Sequence, residues 1–142
     1  MRPRRLEIKG LQSFKDVQRI DFDALGETGL FGIFGPTGSG KSTVLDAITL
    51  ALYGNVQRAG RGTQGIVNTD MDEVEVSFTF DLLKEGIRRT YRVERVYRRR
   101  KGSDVSVENR LARLYEMAGG GDIVIADRLG DVNSKIQDLI GL

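Results

Sequence analysis

The chain has 142 residues, 39% of them hydrophobic and 30% charged, which fits one folded domain with a modest core rather than a disordered tail or a bundle of membrane spans. It holds no cysteine and no histidine, so a disulfide framework, a thiolate or imidazole metal site and histidine acid–base chemistry are excluded. With 22 basic and 20 acidic residues the net charge is only +2, and a polyanionic partner would have to be recognised by local charge rather than by the overall balance.

In chain order, residues 5–9 (RLEIK) and 17–22 (VQRIDF) alternate like strands around a turn at Ser13, Phe14, Lys15 and Asp16, which predicts an antiparallel pair. The basic start, MRPRR, is not followed by an apolar core of signal-peptide length, and no later run approaches transmembrane length. A cytoplasmic location without a membrane partner is the expectation. Residues 29–34 (GLFGIF) read as a buried strand, and residues 35–42 (GPTGSGKS) match the phosphate-binding pattern G-x-x-x-x-G-K-[ST] at every fixed position. The following segment, KSTVLDAITLALYG, carries Val44, Leu45, Ile48 and Leu52 at helical spacing, with Gly54 as the C′ residue that closes the helix.

The residue types in this loop follow from phosphate chemistry. Gly35, Gly38 and Gly40 let backbone N–H groups approach the α and β phosphates, because no Cβ blocks the approach or the positive φ angles it needs. Pro36, Thr37 and Ser39 complete the cradle, Lys41 extends an ammonium toward the β and γ phosphates, and Thr43 lies in the first helical turn near the α phosphate. Ser42 supplies a hydroxyl for Mg²⁺, and the N-terminus of the helix adds its own positive end. The chain therefore reads as a nucleotide binder.

Residues 55–72 are polar and Gly-rich and read as a long surface loop. Beyond it Val74, Val76, Phe78 and Phe80 alternate with acids and hydroxyls, Lys84, Glu85 and Gly86 make a turn, and Tyr91, Val93 and Tyr97 alternate with Arg92, Glu94 and Arg98. A third run at 105–117 completes an antiparallel β-meander over about 73–117. Gly119, Gly120 and Gly121 suggest a flexible turn; Val132, Ile136, Leu139 and Ile140 form a helical stripe over 131–140 with Asp131 as the expected N-cap.

Positive charge concentrates in residues 88–101, RRTYRVERVYRRRK, with only Glu94 against it. Arg98, Arg99, Arg100 and Lys101 fall at a hairpin end where side chains of either parity reach solvent. Two readings stay open: contacts to the phosphates of double-stranded DNA, or a solvated edge whose charges deter strand aggregation.

Nucleotide hydrolysis also needs a carboxylate that helps to hold Mg²⁺ and a group that orients water. The one candidate strand, residues 121–127 (GDIVIAD), ends on Asp127 but continues with Arg128 where an acid is wanted, and it reads rather as an ordinary short strand and turn. No catalytic residue is assigned, and the isolated chain is expected to be inactive as an ATPase.

The combination of RLEIKGLQSFKDVQRIDF, GLFGIFGPTGSGKSTVLDAITLALYG, RGTQGIVN and EVEVSFTFDL resembles the ATPase head of bacterial SbcC exonuclease subunits, relatives of the SMC proteins, over essentially the whole chain. This resemblance implies an α/β fold, the P-loop NTPase of an ABC-type head, with residues 1–142 as its N-terminal lobe carrying the β-meander. It implies ATP and Mg²⁺ as cofactors and a C-terminal lobe that supplies the signature motif, the Walker B acid and the catalytic Glu. It further implies an ATP-dependent dimer with a second head and an SbcD-like metallonuclease partner that cuts DNA ends. Gln137 sits inside the helix that precedes the family's glutamine loop and is not that glutamine. Gln12 and Ser13 fall where related heads approach the nucleotide, or in a plain solvated turn, and Gly62 and Thr63 are candidates for contacts to adenine or ribose. The alternatives are an architectural SMC-type DNA-tethering ATPase without a nuclease and a small self-contained P-loop kinase or GTPase. The last is disfavoured by the lack of an acid–base pair or guanine-reading motif after the loop.

Overall fold

The computed structural model describes residues 1–11, 16–24, 39–54, 71–103 and 106–141, with the backbone alone for residues 39–43. The strand expected at 29–34, loop positions Gly35 to Gly38, and the candidates Gln12, Ser13, Gly62 and Thr63 lie outside the described residues.

Among the described residues six strands form a single sheet: β1 (Arg2–Lys9), β2 (Gln18–Asp21), β3 (Glu73–Lys84), β4 (Ile87–Arg99), β5 (Val107–Ala118) and β6 (Gly121–Ala126). Their order is β2-β1-β3-β4-β5-β6 and every neighbouring pair is antiparallel. The alternation of β3 explains its central place: Val74, Val76, Phe78 and Phe80 all turn to one face and are buried. Phe78 lies opposite Leu6 on β1 and Val93 on β4, and Phe80 lies opposite Tyr91. The Phe78 and Phe80 rings stack at 5.4 Å between centroids, with the Tyr91 ring 5.9 Å from Phe80. Glu85 and Gly86 join β3 to β4 with φ of 53° and 78°, the positive values that a two-residue turn needs to match strand twist.

Among the described residues two α-helices cover one face of this sheet. Helix α1 (Ser39–Tyr53) packs across β3 and β4, and α2 (Leu129–Ile140) packs across β5 and β6 and touches α1. From α1 the side chains of Val44, Ala47, Leu50, Ala51 and Leu52 enter the core, and from α2 those of Val132 and Ile136. Leu45 departs from the expected stripe and is 48% exposed. A helix face is about 100° wide, and the small residues Ala47 and Ala51 let the backbone sit close to the sheet, rotating the contact stripe away from Leu45.

The last helix also departs from expectation at its start. It begins at Leu129, and Arg128, in extended backbone with φ −118° and ψ 145°, occupies the N-cap position without a side-chain capping bond. Its carbonyl takes up the Val132 N–H at 2.8 Å. Asp131 therefore stands inside the first turn, where a carboxylate favours the positive helix end without capping it. No helix among the described residues is long and apolar enough to cross a membrane.

The other face of the sheet is polar. Arg5, Glu7, Ser77, Thr79, Arg92, Glu94, Arg113 and Tyr115 line shallow depressions across it. Asp81 belongs to this face by parity yet is buried, because Thr90 Oγ1 donates to it at 2.6 Å and Arg4 Nη1 at 2.8 Å. Burial alone would raise its pKa, but these two hydrogen bonds and the Arg4 charge hold it below the ordinary carboxyl value.

Candidate nucleotide site

The site is organised by α1. Its regular backbone begins at Ser39, inside the phosphate-binding pattern, and takes in Gly40, Lys41, Ser42 and Thr43 before the first buried side chain, Val44. The first N–H groups of a helix have no acceptors of their own, so these amides are open to an anion. No acid occurs in the first turn, so the start of the helix itself places no like charge beside a phosphate.

At its other end α1 is closed by backbone and side-chain hydrogen bonds together. Gly54, with φ 77°, donates its N–H to the Leu50 carbonyl at 2.8 Å in the left-handed closure expected from the sequence. The Arg95 guanidinium donates from Nε to the Ala51 carbonyl at 2.7 Å and from Nη2 to the Leu52 carbonyl at 3.3 Å. Tyr97 Oη donates to the Gly54 carbonyl at 3.2 Å. Carbonyls that would be orphaned at the end of a helix thus face a cation and a phenol from β4, which also complements the negative end of the helix dipole. Burial pulls the Arg95 pKa down, with Tyr97 opposing, and pushes the Tyr97 phenol up.

The basic hairpin end does not present its four cations alike. Arg99 Nη2 donates to the Met71 carbonyl at 2.7 Å, and its backbone N–H donates to the Asp72 carbonyl at 2.8 Å, so this side chain ties the strand to the segment before β3. Arg100 Nε reaches the Val107 carbonyl at 3.3 Å, bracing the turn. Arg98 and Lys101 point to solvent, and Arg98 stands in register with Glu73 on one side and Glu108 on the other. Carboxylates beside the cation weaken the field it offers to a polyanion.

The apolar run considered for a catalytic acid is β6, an edge strand paired only with β5 among the described residues. Asp122 on it forms an ion pair with Arg92 at 2.8 Å, and Asp127 lies exposed beyond the strand end. The residues that sequence reasoning missed are Arg95 and Asn133, whose Oδ1 accepts from Arg95 Nη2 at 2.8 Å. The available signal was parity: Arg95 shares its strand face with Tyr91, Val93 and Tyr97, which are buried.

Residues 5–138 match the family model described as AAA domain. The chain is 48% identical over 142 residues to the SbcC subunit of the nuclease SbcCD from Bacillus subtilis and 44% identical over 142 residues to that from Clostridium acetobutylicum, covering all of this chain and 12% of each relative. The SbcC subunit from Deinococcus radiodurans is 37% identical over 143 residues, again along the whole of this chain and 14% of the relative. The chain thus spans about an eighth of the length of the curated relatives that it matches.

Proposed function

The chain belongs to the AAA domain family, and we propose that it is the ATP-binding N-terminal lobe of an ABC-type head in an SbcC-like DNA-repair ATPase. The observation that carries this reading is the placement of α1, which starts within GPTGSGKS, offers a first turn free of acids, and is anchored at its far end to the sheet. The donor set fits ATP and Mg²⁺: open helix amides and the Lys41 ammonium suit a triphosphate, and the Ser42 hydroxyl is a hard oxygen ligand suited to Mg²⁺. When bound, the metal neutralises phosphate charge during transfer. This lobe holds and orients the triphosphate, while the acid and the water-positioning group come from a C-terminal lobe of the same head.

In the proposed cycle two heads close around ATP and reopen after hydrolysis, controlling an SbcD-like metallonuclease that acts on double-stranded DNA. The name shared by these relatives, that of a nuclease component, supports this over an SMC-type tether without a nuclease. The test is calorimetry of Mg·ATP with the complete head. Lys41→Ala is expected to abolish measurable ATP binding with the fold retained, and unchanged affinity in the folded variant would sink the reading. Purification of the full-length protein with a metal-dependent nuclease separates the proposed role from the architectural one.

A further inference from the structure

Phosphate-loop chemistry makes no demand on the far end of α1, yet a fully buried guanidinium is spent there. Arg95 emerges from β4, in the middle of the sheet, and donates to Ala51 and Leu52 at the C-terminus of α1 and to Asn133 on α2. Its relative exposure is 0%, and burying a cation carries a desolvation cost that an aliphatic side chain would avoid. A planar guanidinium sets direction as well as distance: its donors form a rigid fork, and through Nε and Nη2 it meets three acceptors on two helices from a fixed angle, while Nη1 has no hydrogen-bond partner among the described residues. The bonds to the Ala51 and Leu52 carbonyls join Gly54 and Tyr97 in closing the helix end, but the bond to Asn133 adds nothing to capping. What it adds is a link between α1 and α2 through the sheet.

Helix α1 has 15 residues and at about 1.5 Å per residue acts as a stiff rod roughly 22 Å long. Its two ends therefore move together. Fixing the C-terminal end against β4 and α2 fixes the axial position and tilt of the N-terminal end, where residues 39–43 begin the helix. We propose that Arg95 is a positioning residue for the nucleotide site, holding α1 by its Ala51 and Leu52 carbonyls and, through Asn133, coupling occupancy of the phosphate loop to the position of α2. This rests on the reading of residues 35–43 as an ATP-binding loop.

The experiment is Mg·ATP titration calorimetry on the full-length protein, with amide hydrogen exchange over residues 129–140 measured with and without nucleotide. Arg95→Met, which keeps length and removes the donors, is expected to weaken ATP about tenfold or more, since small misplacements of a binding group carry penalties of that order. Arg95→Lys restores part of this, because one ammonium cannot serve both helices. Asn133→Ala is expected to cost about threefold, in the range of mutations along a coupling path, and to remove the ATP-dependent protection of α2. Asn133→Asp restores both, since its carboxylate accepts the same bond. A purely structural role would lower the melting temperature of these variants without moving the affinity of the folded protein. Wild-type affinity in folded Arg95→Met, or wild-type affinity and α2 protection in Asn133→Ala, overturns the proposal; if Arg95→Met fails to fold, the Asn133 pair decides. Lys41→Ala in the same series separates the two levels, because its retaining wild-type ATP affinity would strike at the nucleotide reading itself.

Discussion

On the covered face of the sheet Arg95 sits among aromatic and aliphatic side chains, with Tyr91, Val93 and Tyr97 as strand neighbours on its side. Arg92, three residues earlier on β4 and on the opposite face, lies in a web of charge. Its Nη1 meets Asp122 at 2.8 Å, and its guanidinium lies 4.4 Å above the Tyr115 ring. Burial opposes the charged form of Arg92, but the Asp122 bond and the Glu94 charge outweigh it and raise its pKa. Among the described residues Arg95 has no carboxylate partner in its hydrogen bonds and is held by carbonyl dipoles at a helix end and by Asn133. The same side chain thus serves as an architectural fork where water is excluded and as one member of a replaceable network where water enters. Truncating a side chain should therefore matter far more on the covered face.

The largest expected effect breaks that face directly. Phe78→Ala empties the centre of the core beneath α1, and a loss of about 3–5 kcal/mol is expected by chemical denaturation. A loss below about 1 kcal/mol would mean that the packing around Phe78 collapses without penalty.

The second prediction concerns Asp81, which the open face buries despite its parity. Asp81→Asn weakens the bonds from Arg4 and Thr90 and is expected to cost about 2 kcal/mol at neutral pH. The direction of the pH dependence follows from linkage: a carboxyl whose native pKa lies below its ordinary value binds fewer protons folded than unfolded. Its contribution is therefore complete above the ordinary value of 3.8 and is lost as the pH falls below it through the lower native pKa. Denaturation curves of the wild type and Asp81→Asn should converge in that acid range, and parallel curves down through it would remove Asp81 as the cause.

A smaller effect is expected from Arg92→Ala. Its ion pair and ring contact face water, so stability should fall by about 1 kcal/mol or less. A loss matching that of a core truncation would erase the contrast between the faces.

The smallest stability change belongs to Arg98→Glu combined with Lys101→Glu, within about 0.5 kcal/mol for exposed positions. If these residues meet DNA phosphates in the ATP-bound full-length protein, affinity should fall about equally for every sequence. Every cation–phosphate pair that the substitutions abolish should lower the slope of log affinity against log salt by about 0.9. Filter binding at several salt concentrations checks this, and an unaltered slope and affinity would leave the pair as a solvated edge.

What the sequence by itself determined was local. The alternation of Val74, Val76, Phe78 and Phe80, the turn at Glu85 and Gly86, the closure of α1 at Gly54 and the eight-residue phosphate pattern depend on short-range periodicity and backbone freedom, which neighbouring residues carry. Even the burial of Arg95 was legible as parity, though not its purpose. The tertiary structure alone decided that β1 lies between β2 and β3, bringing Leu6 against Phe78, because pairing across so long a separation depends on which faces fit rather than on any local signal. It turned Leu45 outward and started α2 at Leu129, since helix rotation and entry are set by the surface against which they pack. It also divided the basic hairpin into the braced Arg99 and Arg100 and the open Arg98 and Lys101. The acceptors that make that division, the Met71 and Val107 carbonyls, are brought beside the cations by strand pairing, and charge composition carries no information about them.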